Sequence, residues 1–207
     1  KTTTLEHLAL RSALRRLSDP TNNPIPLLLY LSSWGEGQSV EDFIYSRWRL
    51  IPDPVGLLSR GEMHLYLDGL NEMGSKGPQK AALLRNWIDS ARGPRSLIVT
   101  CREAEYSELF ELNLPTIVIE EMDEPLIQRF ASQYLGQDAT GFLMQLWEQD
   151  TRREPDRSVS QLAKNPFLLM SLIIVHLYTG ELPQNKGDLL QRLTMSLWKR
   201  ERERKTL

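Results

Sequence analysis

The chain has 207 residues, 41% hydrophobic and 25% charged, with a formal net charge of −2, the balance of an ordinary globular chain of one or two domains and not of a disordered one. Near-neutral charge argues against nucleic acid as the main partner, because a phosphate-tracking surface leaves a clear excess of Lys and Arg. One cysteine, Cys101, leaves no internal disulfide, and the opening residues show no signal-peptide pattern, so a reducing, cytoplasmic setting is expected.

From Thr4 to Leu17 the apolar residues Leu5, Leu8, Ala9, Ala13, Leu14 and Leu17 keep helical spacing, and Asp19-Pro20 stops them. IPLLLYL, from Ile25 to Leu31, is a continuous apolar run of strand length, suited to a parallel strand covered on both faces. Helical spacing returns in SVEDFIYSRWRL through Val40, Phe43, Ile44 and Trp48. MHLYL, from Met63 to Leu67, predicts a second strand, QKAALLRNWIDSA a helix, SLIVT (Ser96 to Thr100) a third strand and TIVIE (Thr116 to Glu120) a fourth. Regular alternation of this kind predicts an α/β fold with a parallel sheet and helices on both faces.

Beyond Glu124 the pattern becomes all-helical: EPLIQRFASQYLG, GFLMQLWEQD, VSQLAKNP, the run from Phe167 to Tyr178, and a last charged helix ending in KRERERK. The expected boundary divides residues 1–122 from residues 123–207. The run FLLMSLIIVHLY is too short for a membrane span, which needs about 20 apolar residues. Asn165-Pro166 before it and Gly180 after it read as the start and stop of a buried helix. The mixed signs of KRERERK read as a solvated helix face.

The residues with chemistry fall at strand ends. Lys1-Thr2 matches the end of the phosphate-binding loop G-x-x-x-x-G-K-[ST], where the loop enters a helix; the dipeptide occurs everywhere by chance and takes meaning only from partners. LYLDGLNEM places Asp68 at the C-terminal edge of a buried strand, where ligands of open α/β sheets bind. Asp-Gly alone is a common turn pair. An acid at that edge is placed to hold Mg²⁺ with the loop hydroxyl, and Glu72, four residues on, is placed to activate water. VTCRE presents Arg102 at the same edge, where a guanidinium can stabilise charge on a transferring phosphoryl group.

With these residues in hand, the sequence resembles the NACHT-domain NTPases, members of the signal-transduction ATPases with numerous domains. KTTTLEHLAL looks like the end of a Walker A motif, LYLDGLNEM like a Walker B with a small residue after the aspartate, VTCRE like the sensor motif, and KNPFLLMSLIIVHLYTGELP like the helical segment with Asn-Pro followed by G-x-L-P. Asn71 stands where the family usually has an aspartate, and an amide orients water or ligand without adding negative charge. The resemblance implies a P-loop NTPase core followed by a helical subdomain, binding ATP or ADP with Mg²⁺. Lys1, Thr2 and Thr3 would meet phosphate, Thr2 and Asp68 would hold Mg²⁺, Glu72 would activate water, Arg102 would sense the γ-phosphate, and Pro166 would pack on adenine. It also implies that the strand before the phosphate loop, which the family places between the third and fourth strands read here, precedes Lys1 in a longer parent protein. The isolated chain is then expected to bind ATP poorly and to be inactive.

Three functions follow as expectations. The first is a slowly hydrolysing ATP switch that controls opening and self-association in defence or regulatory signalling, working with flanking effector and sensor domains. The second is a nucleotide-held oligomerisation scaffold that does not hydrolyse. The third, a helical interaction module that binds no nucleotide, is disfavoured by Lys1-Thr2 occurring together with Asp68. His7, His64 and His176 are read as surface or packing residues.

Overall fold

The computed structural model describes residues 1–48, 53–148 and 158–205. The ends of two expected helices, residues 49–50 and 149–150, lie outside the described residues, as do the side chains at 200 and 203–205. The chain divides into two compact units, Lys1–Ile119 and Glu120–Leu207.

The first unit is α/β. Helix α1 (Thr2–Ser18) leads into β1 (Ile25–Tyr30), then α2 (Val40–Arg47), α3 (Pro54–Arg60), β2 (Met63–Asp68), α4 (Gly77–Ile88) and β3 (Leu97–Val99). The three strands form one parallel sheet in the order β1-β2-β3. Their register aligns Leu27 with Leu65, Leu29 with Leu67 and Tyr30 with Asp68, and on the other side Leu67 with Val99.

Parallel strands need crossover helices, and those helices cover the sheet faces. Side chains alternate accordingly. Leu28 and Tyr66 turn toward α1 and meet Leu5 and Ala9. Leu27, Leu29, Leu65 and Leu67 turn the other way, into a core with Phe43 and Ile44 of α2, Leu58 of α3, and Ala81 and Leu84 of α4. Burying each such leucine contributes about 1.5–3 kcal/mol, which holds the central strand β2 in place.

The helix starts follow from local chemistry. The Ser39 hydroxyl accepts from the Asp42 N–H at 3.0 Å to open α2, and the Asp53 carboxylate accepts from the Gly56 N–H at 2.9 Å to open α3. Helix α3 was not legible in the sequence: its seven residues, PVGLLSR, are too few to display a helical period.

The expected fourth strand is not formed. Thr116–Glu120 joins no sheet, and Ile117 is 90% exposed. A strand exists through its ladder, and among the described residues β3, at the end of the sheet order, pairs only with β2. The β-branched run TIVI has the composition of a strand but no neighbour to bond.

The second unit is helical: α5 (Glu124–Leu135), α6 (Ala139–Glu148), α7 (Val159–Ala163), α8 (Pro166–Thr179) and α9 (Lys186–Lys205). Its core gathers Ile127, Ala131, Phe142, Leu146, Leu169 and Leu172, all at most 1% exposed. Asp123 accepts from the Leu126 N–H at 2.9 Å at the head of α5. Gly180, at φ 74°, closes α8 in the left-handed conformation that glycine adopts without strain. Among the described residues no helix is long and apolar enough to cross a membrane.

Candidate functional site

Because the sheet is parallel, β2 and β3 deliver their C-terminal residues to the same edge, and the N-terminus of α1 lies there too. The Thr2 hydroxyl donates to Asp68 Oδ2 at 2.8 Å. The Thr100 hydroxyl, just past β3, donates to the other oxygen, Oδ1, at 2.5 Å, and itself accepts the Gly69 N–H at 3.0 Å. Asp68 is only 3% exposed, so two strand ends and a helix start are tied through one buried carboxylate.

Lys1 reaches over the turn that follows β2. Its ammonium lies 2.8 Å from Glu72 Oε1 and donates to Asn71 Oδ1 at 3.1 Å. The turn is a single 3-10 helical turn, Leu70–Glu72, entered through Gly69 at φ 80°. A β-carbon at Gly69 would sit 2.8 Å from Glu72 Oε2. The glycine therefore satisfies both the left-handed backbone and the close return of the Glu72 side chain.

On the far side Asn71 Oδ1 also accepts the Arg102 N–H at 3.2 Å, while Asn71 Nδ2 donates to Glu105 Oε2 at 2.9 Å. The Arg102 guanidinium is paired with Glu105 Oε1 at 3.1 Å. Hydrogen bonding from Asn71, with a smaller contribution from Arg102, holds the Glu105 carboxyl below its usual range. Burial pushes the neighbouring Cys101 thiol up, the largest of several influences on it.

Lys1, Thr2, Asp68, Glu72 and Arg102 are thus brought to one edge. Thr3 follows Thr2 in the first turn of α1, a 17-residue helix whose N-cap, Lys1, makes no side-chain capping bond; the N–H groups of that turn have no intrahelical acceptor. Pro166 belongs to the second unit. It is exposed at the first turn of α8, where Asn165 Oδ1 accepts the N–H groups of Phe167 and Leu168 at 3.0 and 3.2 Å. His64 and His176 are half-buried, and burial lowers the basicity of each.

Sequence reading missed Thr100 and Glu105. A threonine ending a β-rich run and a glutamate in an acidic stretch have no pattern of their own; their roles appear only when β3 is set beside β2.

Among the described residues no group of three or more His, Cys, Asp or Glu side chains could hold a metal ion. The local chemistry nevertheless fits Mg²⁺, which is usually bound through one or two carboxylates together with substrate phosphates and water. A buried carboxylate is costly without a cation, and among the described residues both Asp68 oxygens accept from threonine hydroxyls alone. No family model matches the chain, and no curated protein matches it.

Proposed function

We propose that the chain is the nucleotide-binding core and helical subdomain of a NACHT-type P-loop ATPase, a signalling switch that hydrolyses ATP slowly and whose nucleotide state controls opening and self-association of the parent protein. The observation that supports this reading best is the junction of Thr2 with Asp68 at 2.8 Å and of Lys1 with Glu72 at 2.8 Å. Residues from the start of α1 and the end of β2 meet there at the ligand-binding edge of a parallel sheet.

Each side chain has a task on this reading. Lys1 exchanges its contact with Glu72 for the phosphates, and the uncapped N–H groups at the start of α1 favour negative charge in the same place. Thr2 and Asp68 would hold Mg²⁺. Bound there, the ion would neutralise charge on the phosphates. Glu72, released from Lys1, is then free to take a proton from water. Arg102 lies beside this group on the β3 side and answers to the third phosphate.

The scaffold reading, in which nucleotide is held without hydrolysis, has one observation in its favour. Asn71 spends its amide on Lys1, Arg102 and Glu105 and adds no negative charge beside Glu72. Turnover separates the two. In the parent protein Glu72→Gln should keep ATP binding and lose hydrolysis by about two to four orders of magnitude. Turnover at the parental rate in that variant would remove Glu72 as the base, and absence of turnover in the parent itself would favour the scaffold.

A further inference from the structure

Two side chains in the strand-end cluster, Asn71 and Glu105, are used by none of the phosphate or metal roles. Together with Arg102 they close a ring. Asn71 Oδ1 accepts the Arg102 backbone N–H at 3.2 Å, Asn71 Nδ2 donates to Glu105 Oε2 at 2.9 Å, and Glu105 Oε1 holds the Arg102 guanidinium at 3.1 Å. A 3-10 turn over Glu103–Glu105, with the Glu105 N–H on the Arg102 carbonyl at 3.0 Å, folds the glutamate back onto its arginine.

Only an amide closes this ring. Position 71 must accept from two donors, the Lys1 ammonium and the Arg102 N–H, and donate to a carboxylate. An ionised aspartate there has no donor and would face Glu105 with like charge. The Lys1 ammonium on Asn71 Oδ1 polarises the amide and so strengthens its donation to Glu105. The Arg102 and Glu105 side chains are 62% and 43% exposed, and bonds in such settings hold weakly. The ring is therefore easily opened.

We propose that Asn71 and Glu105 are positioning residues that keep the Arg102 guanidinium on Glu105 until an anion draws the Lys1 ammonium away from Asn71. This rests on the phosphate-site reading of Lys1 given above. Occupancy at the α1 end of the site is thereby linked to the freedom of the arginine at the β3 end, through one amide.

The test is nuclear magnetic resonance on the parent protein, following Arg102 Nε order, Arg102 amide exchange and the Lys1 ammonium, with Mg²⁺-tripolyphosphate as the probe. Without the probe, Glu105→Gln and Asn71→Asp should each loosen the guanidinium. Asn71→Ala should speed exchange of the Arg102 amide by about two- to tenfold, the effect of losing one hydrogen bond. With the probe, the Lys1 signal should shift and wild-type Arg102 should loosen toward the level of Glu105→Gln. An Arg102 as ordered in Glu105→Gln and Asn71→Asp as in the wild type overturns the ring. A Lys1 signal that shifts while Arg102 stays fixed overturns the coupling and leaves the phosphate site standing. A Lys1 signal indifferent to the probe overturns the phosphate site, and the coupling with it.

Discussion

Thr2 and Asp68, 66 positions apart, share a hydrogen bond of 2.8 Å. It joins the first residue of α1 to the last residue of β2, and it does so at a carboxylate that is almost fully buried. Among the described residues, the hydroxyls of Thr2 and Thr100 donate to its two oxygens, one to each. The geometry of the whole edge depends on this carboxylate.

The turn after Asp68 should be intolerant of any side chain at position 69. Gly69 has φ 80°, and a β-carbon would come within 2.8 Å of Glu72 Oε2 and 3.2 Å of its Cβ. Gly69→Ala is expected to cost about 1–2 kcal/mol for the left-handed backbone alone and to push Glu72 from Lys1. The midpoint of urea denaturation should fall with no change in slope, and the ATP hydrolysis proposed for the parent protein should fall as well. An unchanged midpoint would mean that the turn relaxes freely.

Nucleotide preference should depend on Arg102. In the parent protein Arg102→Ala is expected to weaken ATP more than ADP, as the proposed role at the third phosphate requires. Asn165→Ala is the control: it removes the cap of α8, whose side-chain oxygen accepts from two N–H groups, and should lower stability by about 0.5–2 kcal/mol without altering the ATP to ADP ratio. Equal losses of the two nucleotides with Arg102→Ala would take the sensor role from that residue.

The sheet and the order of its elements were readable because β1, β2 and β3 are short apolar runs separated by helical periods, and burial on both sides of β2 writes itself into MHLYL. What a strand pairs with is written nowhere in its own residues. TIVI is richer in β-branched residues than β1 or β2 and is left exposed, because pairing is a property of the neighbour. The site was legible in part for the same reason. Lys1, Thr2, Asp68, Glu72 and Arg102 stand at the ends of recognisable elements. Thr100 and Glu105 act only across β2 and β3, where one end meets another, and Asn71 read as a departure until its three partners were in view.

Acid should loosen the second unit through Asp188. Its carboxylate accepts the Arg192 Nε–H at 2.8 Å and the Gln184 N–H at 2.7 Å, and these contacts, that with Arg192 first, hold it below the ordinary value of 3.8. A carboxyl depressed in the folded state stabilises the fold fully above its unfolded value, and the contribution is lost as pH falls through the folded one. The difference in melting temperature between wild type and Asp188→Ala should be constant near neutrality and narrow below pH 3.8. A difference that widened with acid would reverse the assignment.

The most direct measurement is a calorimetric titration of the parent protein with ATP, with and without Mg²⁺, beside Lys1→Ala and Asp68→Ala. The account predicts saturable binding that Mg²⁺ strengthens, abolished or greatly weakened by Lys1→Ala, and stripped of its Mg²⁺ dependence by Asp68→Ala. Binding that is indifferent to both substitutions, or no binding in the wild type, would contradict it.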